Sequence, residues 1–166
     1  TVHSATLNIC DCVGTGALTG TGNTEAIYLY IRTTATLNFY GGNISGVVNG
    51  AAVSAAEGTT FKMYGGSISN NYASNGAVKV VAGNFHMYGG EISDNTGSNY
   101  GAVNVSNGGN MIMENGAVIE GNESEYGCGG IRMGLDTTVT INGGYITRNE
   151  SGPYGGGIHM DGGILP

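Results

Sequence analysis

Basic residues are scarce in this chain, and their scarcity excludes several classes of partner. The 166 residues include 5 lysines and arginines against 12 aspartates and glutamates, which gives a formal net charge of −7. Nucleic acids and anionic lipid headgroups both bind through clustered Lys and Arg. No apolar run approaches the roughly 20 residues that a membrane helix needs. We therefore expect no nucleic-acid partner and no membrane insertion.

Cysteine and proline are also few, with 3 and 2 residues respectively. Cys10 and Cys12 lie two residues apart and Cys128 is distant, so the spacing gives neither a zinc pattern nor a disulfide framework. We interpret the cysteines as buried or half-buried thiols. The chain starts at Thr1 without a signal-peptide pattern, and we interpret it as a segment of a longer chain or a processed chain.

Glycine, in contrast, is abundant, at 33 residues, and it follows no every-third pattern, which excludes collagen. Hydrophobic residues make up 40% and charged residues only 10%, a balance that favours a folded chain over a disordered one. Small, β-branched, Tyr and Asn residues dominate. This mixture is typical of strands joined by tight turns.

One eleven-residue stretch occurs twice with a few changes, and related stretches occur along the rest of the chain. FKMYGGSISNN (61–71) is followed by FHMYGGEISDN (85–95). The related stretches are LNICDCVGTG from Leu7, LNFYGGNIS from Leu37, MIMENGAVIEGN from Met111, and VTINGGYITRN from Val139. The copy at Met111 has one extra residue, which predicts a bulge. A second motif alternates with the first and reads GAAVSA, GAVKVV, GAVNVS, GGIRMG and GGIHMD. A fixed period in this range indicates a solenoid.

The apolar residues alternate with period two, which predicts short strands with one face turned inward. We predict an all-β, right-handed parallel β-helix of about six coils, each of 24–27 residues with three short strands. Residues 1–166 form a single domain in this interpretation, with a degenerate first coil (1–34) and regular coils (35–163). The right hand follows from the general preference of parallel crossover connections.

Equivalent residues of successive coils should lie about 4.8 Å apart, so inward positions should stack like on like. The predicted ladders are Phe39, Met63, Met87, Met113 and Ile141; Ile44, Ile68, Ile92, Ile119 and Ile146; and Val53, Val78, Val103, Ile131 and Ile158. The double glycines are expected at corners that need positive φ or have no room for a Cβ. The stacked asparagines Asn71, Asn95, Asn122 and Asn149 should hydrogen-bond from coil to coil at a turn.

Two outward rows are candidates for a ligand or partner surface. Tyr40, Tyr64 and Tyr88 should form a stripe that either presents flat rings to sugars or serves as a structural ladder that shields the corner. A polar row contains Lys79, Arg132 and His159, together with Tyr28, Ser54 and Asn104. We predict no catalytic, cofactor-binding or metal-binding residues, because no His, Cys or Ser constellation and no calcium-binding nonapeptide is present.

Several quoted stretches resemble a known repeat family. ISNNYASNGAV, ISDNTGSNYGAV, IEGNESEYGCGGI and ITRNESGPYGGGI are similar to the I-x-x-N…G-G-[AG]-[IV] repeats of bacterial surface adhesins with right-handed β-helices. The resemblance implies an extracellular, cell-surface protein that acts in adhesion or as a stalk and is attached through a parent chain. It carries over no catalytic residues and no cofactor.

Pectate-lyase-like enzymes share this architecture and provide the alternative function, a polysaccharide lyase or glycoside hydrolase. They use a row of aspartates for calcium and a nearby Arg or Lys as base, whereas the polar row here has no carboxylate. Four glutamates cluster at a loop, namely Glu120, Glu123, Glu125 and Glu150. A pair of carboxylates could hydrolyse a glycoside, but acidic residues at turns are more commonly solvated surface groups. We therefore predict a non-enzymatic module that binds glycan or protein along its side. End-to-end self-association into a fibre is a further possibility, since the ends of a β-helix are open strand edges.

Overall fold

The computed structural model describes residues 5–11, 16–19, 27–29 and 34–161, and the regular elements in these ranges are all β-strands. The strands are β1 (Ala5–Ile9), β2 (Ala17–Thr19), β3 (Ile27–Leu29), β4 (Ala35–Phe39), β5 (Asn43–Ser45), β6 (Val53–Ala55), β7 (Thr60–Met63), β8 (Ser67–Ser69), β9 (Val78–Val81), β10 (Asn84–Ser93), β11 (Thr96–Gly97), β12 (Val103–Ser106), β13 (Asn110–Glu120), β14 (Glu123–Ser124), β15 (Ile131–Met133), β16 (Thr138–Ile141), β17 (Tyr145–Thr147), β18 (Glu150–Ser151) and β19 (Ile158–Met160).

The strands pair in parallel and form three faces of a solenoid. The first face contains β1, β4, β7, the first part of β10 and of β13, and β16. The second face contains β2, β5, β8, the last part of β10 and of β13, and β17. The third face is a 6-stranded sheet of β3, β6, β9, β12, β15 and β19.

This arrangement confirms the predicted fold class, a parallel β-solenoid with three strands per coil. The coil count is slightly lower than the six predicted, because the stacked sheets make about five turns. The spacing also varies more than predicted. Residues hydrogen-bonded across neighbouring coils are 24 apart at Asn71 and Asn95, but 30 apart at Asn8 and Asn38. Handedness stays a prediction.

The three inward ladders are confirmed by the strand register and make up the core. The aligned positions are Phe39, Met63, Met87, Met113 and Ile141 on the first face, Ile44, Ile68, Ile92, Ile119 and Ile146 on the second, and Val53, Val78, Val103, Ile131 and Ile158 on the third. Their members are fully buried except in the last described coil, where Ile141 and Ile158 are exposed and Ile146 is half-buried. Phe61 and Phe85 add a stacked aromatic pair, with ring centres 4.8 Å apart.

The double glycines turn the chain from the first face to the second, and both predicted reasons for them apply. Gly66 has a φ of +78°, and a Cβ added there would lie 2.6 Å from the carbonyl oxygen of Gly42 in the preceding coil. The predicted bulge lies two coils after Gly66, between Met113 and Gly116. It is a shift in the strand register, because Met87 pairs with Met113 but Gly89 pairs with Gly116. There Gly90 pairs with Ala117, so the extra residue lets the chain turn with a side chain at that position.

The predicted asparagine ladder closes the second face. Asn95 is fully buried and accepts hydrogen bonds through Oδ1 from the backbone N–H and the Nδ2 of Asn71, at 3.1 and 2.9 Å. Its own backbone N–H and Nδ2 donate to Asn122 Oδ1 in the same way, and Nδ2 also donates to the carbonyl oxygen of Ile68. Asn122 repeats the pattern toward Asn149. Buried amides are thus satisfied coil by coil.

The cysteine interpretation holds for one residue and fails for another. Cys128 is buried, and its thiol donates to the carbonyl oxygen of Ile131 at 3.4 Å. Cys10 is exposed, contrary to the interpretation as a buried or half-buried thiol. It follows Ile9 on the first face at the position that Tyr40 occupies one coil later, and this position points outward. Cys12 lies outside the described residues.

Candidate functional site

The predicted tyrosine stripe is a stack of rings, which we call the tyrosine column (Tyr40, Tyr64 and Tyr88). Ring centres of adjacent tyrosines are 4.7 Å apart, and the planes are inclined by 7° and 1°. His86 lies against the ring of Tyr88, with centres 3.6 Å apart, and its Nε2 is 3.1 Å from Glu114 Oε1. Glu114 also accepts from Asn142 Nδ2. The aromatic stripe therefore ends at Tyr88, and Glu114 and Asn142 follow in the next two coils.

The stacking decides what the tyrosine column can present to a ligand. Each side of the Tyr64 ring faces a neighbouring tyrosine, so the solvent meets ring edges and hydroxyl groups rather than open ring faces. A sugar ring packs on the face of an aromatic ring, and the face of Tyr64 is occupied. This geometry favours the structural-ladder interpretation of the stripe.

The polar row lies on the third face, away from the tyrosine column. Ser54 pairs with Lys79, Lys79 with Asn104, Asn104 with Arg132 and Arg132 with His159, in the order of the coils. Tyr28 begins the row through its pairing with Ser54. The structure thus brings Arg132 and His159 together, whereas Lys79 lies two coils from Arg132.

Arg132 and His159 converge on one carboxylate. Arg132 donates to Asp161 Oδ2 through Nε at 2.8 Å and Nη2 at 2.6 Å, and its Nη1 donates to Asn104 Oδ1 at 3.1 Å. His159 Nε2 is 2.5 Å from Asp161 Oδ1. Partial burial raises the pKa of Asp161, but the hydrogen bonds and charges of Arg132 and His159 outweigh it, so the pKa of this carboxyl lies below its usual value.

A cleft of about 210 Å³ opens beside this ion pair, and we call it the tyrosine cleft. Its walls come from three successive coils and contain Asn99, Tyr100, Tyr126, Gly127, Tyr154, His159 and Asp161. The guanidinium carbon of Arg132 is 5.1 Å from the ring centre of Tyr100. The ring of Tyr154 is tilted by 54° against that of His159, with centres 4.6 Å apart.

Sequence reasoning identified Arg132 and His159 but missed the tyrosines of the cleft and Asp161. Two signals in the sequence point to the tyrosines. The connection from the asparagine ladder to the third face lengthens from 71–78 to 95–103 and again to 122–131, and it keeps that length at 149–158. Each lengthened connection carries one tyrosine, namely Tyr100, Tyr126 or Tyr154. Loops that depart from a repeat are where binding residues concentrate.

The acidic loop residues form a separate feature. Glu123 pairs with Glu150 in the short sheet of β11, β14 and β18, and both line an open groove with Glu125. Glu120 is bound by Arg148, whose Nη2 is 2.6 Å from Oε2. Within residues 34–161 and the shorter described ranges, no group of three or more His, Cys, Asp or Glu side chains is arranged to hold a metal ion.

The chain was compared with protein-family models, curated proteins and solved structures, and none of them matches it. Among the described residues, no helix has the length and apolar character needed to cross a membrane.

Proposed function

We propose that the chain is a non-enzymatic module of an extracellular bacterial surface protein. In this proposal it is a rigid β-solenoid that serves as a stalk or adhesin segment and binds glycan or protein along its side. The observation that carries the proposal is the continuity of the ladders. From β4 to β19 the three faces repeat without an inserted subdomain, and the asparagine ladder continues from Asn71 to Asn149.

Continuity supports a stalk because every coil is held to the next by the same contacts. Parallel strands on three faces, buried apolar ladders and paired amides all act in the direction of the solenoid axis. A rod of this kind resists bending, since any bend must open strand hydrogen bonds on one face. Rigid projection of a binding surface is what an adhesin stalk requires.

The chemistry of the third face supports binding rather than turnover. His159 and Asp161 form a pair, but the nearby Cys128 is a poor nucleophile, because burial raises the pKa of its thiol and keeps it protonated. Both oxygens of Asp161 are engaged by Arg132 and His159. Glu123 and Glu150 are adjacent carboxylates that could act on a glycoside, and they lie in the separate groove of the short sheet.

The test applies one panel of soluble polysaccharides to the purified chain and measures binding and cleavage together. We expect retention of one or more polysaccharides in affinity electrophoresis, with no release of reducing ends or unsaturated uronate products. Cleavage that disappears in Glu123→Gln or Glu150→Gln would replace this proposal with the alternative of a carbohydrate-active enzyme.

A second candidate function is a subunit that docks end to end into a fibre. The last described strands favour it, because Ile141, Ile158 and Met160 expose apolar surface at ladder positions. A further coil, from a longer chain or from a second molecule, would cover them. Light scattering with negative-stain electron microscopy distinguishes the two: filaments one solenoid wide indicate a fibre subunit, and a monomer indicates a stalk segment.

A further inference from the structure

We propose that the tyrosine cleft binds one neutral pyranose unit of a polysaccharide, with Tyr126 and Tyr154 as the residues that stack on the sugar. This inference rests on the proposed function, since it assigns a site and a ligand class to the binding module. The proposed binding site therefore lies at the His159 end of the polar row and not at the tyrosine column.

The first step is the exposure of the cleft tyrosines. Tyr126 is 60% exposed and Tyr154 is 54% exposed, although neither belongs to a core ladder. A single exposed ring is ordinary, but Tyr126 and Tyr154 stand in successive connections and line the same cleft. Aromatic rings with open faces are the groups that pack against the C–H faces of a sugar.

The second step is the rigidity of the cleft floor, which consists of Tyr100 and Asp161 and is held from behind by Arg132. The Arg132 side chain is only 17% exposed and is fixed by Asp161 and Asn104. Its guanidinium lies over Tyr100, which orients that ring as well. A site whose walls are fixed before the ligand arrives loses less conformational entropy on binding.

The third step is the balance of charge, which selects a neutral ligand. Asp161 and Arg132 neutralise each other, so the floor carries no free charge. An anionic sugar would meet the carboxylate of Glu125, which is hydrogen-bonded to Tyr126, while the Arg132 guanidinium is already paired with Asp161. A quaternary ammonium ligand would find both oxygens of the Asp161 carboxylate already engaged by Arg132 and His159. Sugar hydroxyls, in contrast, pair with both donors and acceptors, and Asn99, the tyrosine hydroxyls and His159 supply both.

The fourth step is size. Pockets for drug-sized ligands are roughly 300–1,000 Å³, whereas this cleft measures about 210 Å³. One sugar ring suits it better than a compact oligosaccharide would. The cleft lies between exposed connections on the outside of the solenoid, so the rest of a polysaccharide can continue across the neighbouring coils.

The experiment is a binding titration on the full chain with tyrosines carrying ¹³C in their rings. The probes are methyl pyranosides of glucose, galactose, mannose and N-acetylglucosamine, the corresponding neutral tetrasaccharides, and a tetrasaccharide of uronic acids. We expect one or more neutral probes to shift the ring signals of Tyr126 and Tyr154 saturably. Tyr126→Ala and Tyr154→Ala are each expected to weaken binding about tenfold.

The matched control is Tyr145→Ala. Tyr145 is 69% exposed, more than either cleft tyrosine, and it lies on the second face in β17. Its removal should leave the affinity unchanged. Circular dichroism of all three variants checks that the solenoid is intact.

Four other outcomes would each contradict a different part of the proposed function or of the proposed site. Neutral-sugar binding that survives both cleft substitutions leaves the binding module standing and removes this site. Cleft-dependent binding of the uronic acid probe alone overturns the ligand class. No saturable binding by the unmodified chain overturns the inference while leaving the stalk. Depolymerisation of a probe overturns the non-enzymatic function, whichever residues bind.

Discussion

The tyrosine column and the tyrosine cleft use the same residue type in opposite ways. In the column, rings from successive coils face one another at 4.7 Å, and the residues are 37 to 47% exposed. In the cleft, Tyr126 and Tyr154 stand on connections longer than those of the earlier coils, and they are 60% and 54% exposed. Where successive coils have the same length, a side chain packs against the equivalent side chain of the next coil. Where a connection is longer than in the preceding coils, its side chain is available to contact a ligand.

The difference has its origin in what fixes each corner. The glycine corner lies between two faces that are both in strand register, so the coils turn there in nearly the same way, and the one extra residue after Met113 forms a bulge. The connection to the third face is held at its start by the asparagine ladder and the short sheet of β11, β14 and β18. Beyond these contacts it can gain a residue without disturbing the core.

The largest effect is expected from Asn95→Ala, which opens the asparagine ladder. It leaves the backbone N–H of Asn71 and the carbonyl oxygen of Ile68 without their Asn95 partner in a buried position. Several unsatisfied buried groups should lower the free energy of unfolding by about 4 kcal/mol, measured by urea denaturation. Asn110→Ala is the control, because Asn110 is exposed and its Nδ2 donates to Asn84 at the surface. Similar losses in both variants would mean that the ladder is not a principal constraint.

The next effect is expected at the glycine corner. Gly66→Ala combines a positive φ with a Cβ placed 2.6 Å from a backbone oxygen, and it should cost about 3 kcal/mol. Gly58→Ala has nearly the same φ, +75°, but nothing within 4 Å of the new Cβ, so only the conformational cost of about 1 kcal/mol remains. Equal unfolding midpoints for the two variants would contradict the role given to close packing.

A smaller effect separates the two sets of tyrosines directly. Tyr64→Ala removes the middle ring of the column and two stacking contacts, and it should destabilise the solenoid by about 1 kcal/mol. Tyr126→Ala should leave the thermal midpoint unchanged while it weakens sugar binding. If the two substitutions have the same effect on stability, the distinction between column and cleft is wrong.

The smallest effect concerns Asp161. Because Arg132 and His159 hold its pKa below the usual value in the folded state, the unfolded state binds more protons at mildly acid pH. The stabilisation is complete above the ordinary carboxyl pKa of about 3.9 and is lost as the pH falls through the lowered value. The wild type should therefore exceed Asp161→Asn in stability at neutral pH, and the difference should shrink in acid. A difference that stays constant with pH would assign the effect to packing instead of charge.

The parts of this protein that repeat could be predicted from the sequence, and the parts that do not repeat could not. The alternation around Met63 and Met87 fixes which side faces inward, and the shared spacing of Asn71 and Asn95 places them one above the other. The tyrosine cleft depends on how connections of different length fold back over the third face, and no periodicity determines that. Asp161 likewise joins the site only because β19 brings His159 beside Arg132.

The asparagine ladder also has a direction. Asn71, Asn95 and Asn122 each donate from Nδ2 to the Oδ1 of the asparagine in the following coil, and this row of bonds ends at the Oδ1 of Asn149. The amide dipoles therefore point the same way and add along the axis. A whole coil inserted between any two of these asparagines would leave every bond in the row oriented as before, whereas a reversed coil would set donor against donor. The cross-section of the solenoid is thus fixed, but its length can change by duplication of single coils.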